Sequence, residues 1–206
     1  MKIWTVEEYL QFSRAIRDDS LANICFELLF WTGMTSGELM ALSWNDIDLE
    51  YGRISITKAI RCKSGEQKIC KFDKNSYAFR VVTLPGKVVR ELISYKNEIP
   101  TGKETIQELI DGKHVAFHIT GNYLRKKLVS GCKTAGMPAI RVSDLRYSHI
   151  FLLCWMYFSV GDIAERLGIS EISVVRQYSG FFSSEREKIA ETLEEFRAYV
   201  MLHPQK

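Results

Sequence analysis

The sequence predicts an α+β domain that is mainly helical and carries one small antiparallel sheet. Two observations predict it. Helix caps and 3.6-residue apolar spacing dominate both ends of the chain, while two short β-branched runs, Arg53–Thr57 and Arg80–Leu84, stand near the middle. Thr5-x-x-Glu8 is a capping box that opens a first helix with Leu10, Phe12 and Ile16 among its apolar positions. A second helix is expected from Ala22 to Thr32, stopped by Gly33, and a short third one from Ser36 to near Trp44-Asn45-Asp46. The two strand candidates are separated by a long charged hairpin region and closed by Pro85 and Gly86. Helices follow at Val88–Ile93, Tyr123–Lys133, and from Ser143, a plausible N-cap, to about Tyr157. Asp162–Leu167 and Glu171–Tyr178 are joined by Gly168-Ile169-Ser170. A last helix from about Ser183 carries Ile189, Leu193, Phe196 and Val200.

With 206 residues, 46% of them hydrophobic and 12% aromatic, the chain has enough apolar mass for one domain with a sizeable core. The longest apolar run, Ile150–Val160, is too short to span a bilayer, and the first residues form no signal-peptide core. Five scattered cysteines without a CxxC pair point to reduced thiols, a cytoplasmic setting and no structural zinc.

The formal net charge of +3 hides a segregation. Residues 1–50 carry −6, residues 51–149 carry +11 and residues 150–206 carry −2. Arg125, Lys126, Lys127, Lys133, Arg141 and Arg146 crowd positions 120–149 against the single acid Asp144. A basic middle between acidic ends suits a polyanion, and it equally suits charges that meet within the fold.

Three stretches carry more specific information. Thr32-Gly33-Met34-Thr35-Ser36-Gly37-Glu38-Leu39 runs on to Leu42-x-Trp44-x-Asp46-Ile47. Ser143-Asp144-Leu145-Arg146-Tyr147-Ser148-His149 is the second stretch, and Leu167-Gly168-Ile169-Ser170 through Tyr178 is the third. In this order they resemble the three motif boxes of the tyrosine recombinases (the phage integrase family), and Lys74–Leu84 is similar to the family's lysine-bearing hairpin. The resemblance implies the catalytic-domain fold over residues 1–182, with 183–206 as a C-terminal helix that docks on a neighbouring protomer or packs on its own core. It also implies DNA strand exchange through a 3′-phosphotyrosine, with no metal or nucleotide cofactor.

The chemistry explains the residue types. A pentavalent phosphorane gathers negative charge that guanidinium forks match, a tyrosine near pKa 10 needs help to attack, and the leaving oxygen needs a proton. By resemblance Tyr178 is the nucleophile, Arg146 a phosphate fork and Lys74 the hairpin lysine. The family's first arginine is replaced by Thr35, and its two histidines by Ser143 and Ile169, so the site is expected to bind DNA and to cut it poorly. Expected contacts to double-stranded DNA are Lys74, Arg80, Arg125, Lys126, Lys127, Arg141, Arg146 and Arg176. His149 reads as a structural histidine. Two alternatives stay open: Asp162–Arg176 also fits a helix-turn-helix DNA-binding regulator, and the chain also reads as a non-catalytic partner of another recombinase or of itself.

Overall fold

The computed structural model describes residues 2–63, 66–99 and 115–182. The expected last helix with Ile189, Leu193, Phe196 and Val200 lies outside them. Helix α1 (Val6–Ala15) begins as its capping box requires: Thr5 Oγ1 accepts from the Glu8 amide at 3.3 Å, and Glu8 Oε2 accepts from the Thr5 amide at 2.8 Å. Helix α2 (Ser20–Thr32) starts two residues before the expected point, because the Asp19 carboxylate caps it. Nine of its thirteen residues are buried, the mark of a central helix apolar all round. Gly33, at φ +67°, stops it.

The short helix α3 (Ser36–Ala41) ends earlier than expected. Leu42 turns extended, and Trp44–Asp46 forms a separate 3-10 turn. Strands β1 (Ile47–Asp48), β2 (Arg53–Ile56) and β5 (Arg80–Thr83) make the antiparallel sheet in the order β1-β2-β5, with Ile54 opposite Val82. The charged region between β2 and β5 folds into its own two-stranded ribbon, β3 (Lys58–Lys63) and β4 (Glu66–Lys71). Loop 72–79 then returns the chain to β5.

Helices α4 (Gly86–Glu98), α5 (Gly121–Thr134), α6 (Asp144–Trp155), α7 (Val160–Leu167) and α8 (Glu171–Phe182) complete the described fold. The main core joins Tyr9, Phe12, Phe26 and Phe30 to Ile54, Val82, Phe117, Leu124 and Leu145. Helix α5 crosses α1 at Gly131, where an added Cβ would lie 2.5 Å from Phe12 and Ile16. A smaller cluster of Ile150, Ile163, Ala164, Leu167, Val174 and Tyr178 welds α6, α7 and α8 together. Among the described residues no helix is long and apolar enough to cross a membrane.

Candidate active site

The N-terminal ends of α3 and α6, the turn after α7 and the inner face of α8 converge on one cavity of about 280 Å³. Its walls include Thr35, Ser143, Arg146, Ile169 and Tyr178, five of the six positions singled out by resemblance, together with Tyr147 and Gln177. Three stretches far apart in sequence, 34–36, 142–147 and 169–178, meet there. Thr35 caps α3 through a capping box with Glu38. Gly168, at φ +69°, closes α7 and aims Ile169 back at the cavity.

Ser143 departs from its expectation. It stands at the N-cap position of α6, but its own backbone is helical (φ −63°, ψ −24°) and its hydroxyl caps nothing. Asp144 Oδ2 instead accepts from the Arg141 amide at 3.0 Å, while Oδ1 meets the Arg141 guanidinium at 2.9 Å.

Arg146 is anchored from below. Its Nη1 donates to the Gly33 carbonyl at 2.6 Å and its Nη2 to the Leu167 carbonyl at 2.9 Å, and its guanidinium also hydrogen-bonds the Tyr178 hydroxyl. Burial and the neighbouring Arg80 pull its pKa down, and Glu38 and Tyr178 oppose them. Tyr178 is only 4% exposed, with its ring 5.7 Å from that of Tyr147. Burial pushes its pKa above the ordinary tyrosine value, Arg146 acts against that shift, and Tyr147 adds to it. The position expected from resemblance to supply the nucleophile thus holds a neutral, buried phenol.

A charged junction lies under the cavity. Arg80 forks onto Glu38, Nη1 to Oε1 at 2.8 Å and Nη2 to Oε2 at 3.1 Å, and its Nε donates to the Arg166 carbonyl at 2.9 Å. Burial would raise the Glu38 pKa, yet the Arg80 fork holds it below the usual carboxylate value. Arg166 donates to the carbonyls of Trp31 (2.9 Å) and Thr83 (3.2 Å) and, through Nε, to His149 Nε2 at 3.0 Å. Burial, then Arg166 and Arg146, push the His149 pKa down to about 3, so the ring is neutral.

The remaining expected residues divide by exposure. Arg80, read as DNA-facing, is 6% exposed and faces inward, because the buried Glu38 carboxylate requires a guanidinium partner. Lys74 is exposed on loop 72–79, outside the cavity wall. That loop nevertheless abuts the Ile169 turn: an added Cβ on Gly168 would lie 2.8 Å from the Tyr77 carbonyl. Arg125 and Lys126 are exposed on α5, Arg176 is exposed on α8, and the Arg141 side chain is 71% exposed despite its ion pair. Lys127 pairs with Asp19. Sequence reasoning did not single out Glu38, Tyr147, Arg166 or Gln177 as parts of this site. Glu38, Tyr147 and Gln177 lay within the motif boxes, a usable signal.

Residues 3–182 match the model of the phage integrase family. The chain belongs to that family. The ICEBs1 integrase of Bacillus subtilis (strain 168) is 28% identical over 205 residues, covering 95% of this chain and 55% of the relative. A XerC-like tyrosine recombinase of Caldanaerobacter subterraneus is 23% identical, covering 91% and 52%. The chain therefore spans about half the length of these curated relatives. Among solved structures, the Tn1549 transposon integrase in complex with transposon right end DNA superposes with a TM-score of 0.71 at 15% identity, covering 92% of this chain and 66% of that one. The XerA recombinase gives 0.63 at 16% identity, covering 91% and 65%. These likenesses show that this integrase-family chain has the recombinase fold.

Proposed function

We propose that this chain is the DNA-gripping, catalytic-type domain of an integrase for site-specific recombination, spanning 1–182, with its cleavage chemistry impaired. One observation carries the reading. The cavity that gathers Thr35, Ser143, Arg146, Ile169 and Tyr178 has a single guanidinium on its wall. Arg146 is held by two backbone carbonyls, which leave its charge uncancelled, so a phosphate of double-stranded DNA is its natural counter-ion there. Lys74, Arg125, Lys126, Arg141 and Arg176 supply further backbone contacts around it, with affinity falling steeply as salt rises.

The same wall limits the chemistry. An arginine on a phosphoryl transition state is worth roughly 10³–10⁵ in rate, and a preorganised donor about 10²–10³. Thr35 and Ser143 offer neutral hydroxyls, and Ile169 offers no polar atom. Tyr178 begins buried and neutral, and His149, neutral and beneath the cavity, has no proton to give as an imidazolium. No cofactor is invoked, since the family's phosphotyrosine chemistry needs none. A helix-turn-helix regulator would account for the α7–Gly168–α8 turn and leave the α3 and α6 walls of the cavity without a role. Residues 183–206 are proposed to serve self-association or docking on another recombinase, in the cytoplasm where the DNA target lies.

Incubation with a nicked suicide duplex, read on a denaturing gel, tests the reading. The natural chain is expected to give no covalent tyrosyl–DNA adduct while still shifting the duplex. Thr35→Arg, Ser143→His and Ile169→His together are expected to restore an adduct that Tyr178→Phe removes. Robust cleavage by the natural chain overturns the impaired-site reading. If charge reversal of Arg125, Lys126 and Lys127 to glutamate leaves duplex affinity and its salt slope unchanged, α5 is not the interface.

A further inference from the structure

The cavity holds two phenols in different settings. Tyr178 is buried, and its hydroxyl hydrogen-bonds the Arg146 guanidinium. Tyr147 follows Arg146 directly on α6 and is only half-buried. Its ring stands 5.7 Å from that of Tyr178, inclined by 57°. The same ring packs on the cluster of Ile150, Ile163, Leu167 and Val174, as Ile169 does. Among the described residues the Tyr147 hydroxyl has no hydrogen-bond partner. Electrostatically it reaches both the Tyr178 phenol and the Arg141 guanidinium, whose side chain is 71% exposed. A ring fixed by its neighbours thus carries an uncommitted hydroxyl on the cavity wall, nearer to solvent than the buried phenol.

A phosphate at this wall needs more donors than Arg146 has to give. Two of its guanidinium N–H groups already serve the Gly33 and Leu167 carbonyls, and the Tyr178 hydroxyl occupies it further. The non-bridging oxygens of a phosphate diester each accept more than one hydrogen bond, so the remaining guanidinium donors leave part of the anion bare. A phenol is a good complement. It donates one strong O–H, and a ring already locked by packing loses little freedom in doing so.

We propose that Tyr147 is a phosphate-contacting residue of this cavity: its hydroxyl donates to a non-bridging oxygen of the DNA phosphate that Arg146 holds. The inference rests on the reading of the cavity as a phosphate site and adds to it a neutral donor beside the guanidinium. Two properties separate this role from core packing. Packing against Tyr178 and the α6–α8 cluster uses the ring alone, so the hydroxyl is dispensable to the fold. A neutral donor also releases no counter-ion, so it strengthens binding without adding to the salt dependence.

The test compares the full chain with Tyr147→Phe on a short mixed-sequence duplex. The variant keeps the ring and loses only the hydroxyl. It is expected to bind the duplex about tenfold more weakly at fixed salt, the scale of one hydrogen bond to a charged group. Its slope of log K against log salt and its thermal unfolding midpoint are expected to match those of the natural chain. Fluorine NMR of the chain carrying ring-fluorinated tyrosine gives a direct readout. The resonance missing from Tyr147→Phe is expected to shift when duplex is added to the natural chain. Natural-like affinity in Tyr147→Phe, or a resonance unmoved by duplex, overturns the proposal and leaves Tyr147 as packing. A loss of affinity accompanied by a shallower salt slope or earlier unfolding overturns it as well, since removing a neutral donor changes neither. Absence of any duplex binding by the natural chain overturns the phosphate-site reading itself.

Discussion

Two buried glutamates, eleven residues apart, lie in opposite electrostatic settings. Glu27 sits in the aromatic interior between α1 and α2, where Tyr9 stacks on Phe30 at 3.8 Å. Its Oε1 accepts from the Tyr9 hydroxyl at 2.9 Å and from Ser13 Oγ at 3.1 Å, with no cation bonded to it among the described residues. Burial, the largest influence, lifts its pKa above the ordinary glutamate value. Glu38 is as deep, yet the Arg80 fork holds its pKa down. One region therefore solves burial by favouring a neutral acid, the other by fixing charge. The junction under the cavity goes further: it sets Arg80, Arg146 and Arg166 against the one carboxylate of Glu38 and satisfies the surplus with backbone carbonyls. Carbonyl dipoles hold a guanidinium without cancelling its charge, so the surplus remains as a positive field at the cavity.

The largest expected effect comes from breaking the paired side of this comparison. Arg80→Met leaves Glu38 buried without its partner and is expected to cost about 3–5 kcal/mol at neutral pH, measured by urea unfolding. The pH dependence inverts with it. In the natural chain the folded pKa of Glu38 is depressed, so its contribution is present above the unfolded pKa and is lost as pH falls through the folded value. In Arg80→Met, acidification is expected to recover stability. Equal losses at acid and neutral pH would show that the fork matters for packing and not for charge.

Arg146→Met removes both carbonyl anchors and is expected to cost about 2–4 kcal/mol, because the Gly33 and Leu167 carbonyls lose their donor. A loss of DNA affinity without that loss of stability would mean that the carbonyls find other donors and that Arg146 serves mainly as a phosphate fork.

Glu27→Gln probes the neutral side. The folded pKa of Glu27 is raised, so its contribution is complete below the unfolded pKa and declines as pH rises through the folded value, at up to about 1.4 kcal/mol per pH unit. The glutamine variant is expected to flatten that decline between acid and neutral pH. An unchanged pH profile would assign Glu27 a charged partner and dissolve the contrast with Glu38.

The smallest effects lie on the cavity rim. Thr35→Ala is expected to cost about 1 kcal/mol through loss of the α3 cap. Ser143→Ala, whose hydroxyl caps nothing, is expected to stay within about 0.5 kcal/mol by thermal unfolding. A larger loss at Ser143 would give its hydroxyl a structural partner after all.

The sequence by itself determined the local events and the identity of the cavity positions. Thr5 and Glu8 start α1, Gly33 and Gly168 stop α2 and α7, and β-branched runs mark β2 and β5, because caps and backbone preferences act within a few residues. The three boxes also named five of the residues that line the cavity. Only the tertiary structure decided what those residues rest on. Arg80 reads like any cation of the basic middle, and it turns inward because a carboxylate 42 positions away is buried beside it. The anchors of Arg146 are carbonyls 113 and 21 positions away, and a carbonyl leaves no mark in the residue code. Ser143 has the residue type of a cap, but it adopts a helical backbone there and its hydroxyl caps nothing. The separation of the charged hairpin into its own ribbon was equally hidden. Strand pairing is settled by which partners come within 5 Å across the fold, and composition along the chain does not specify that.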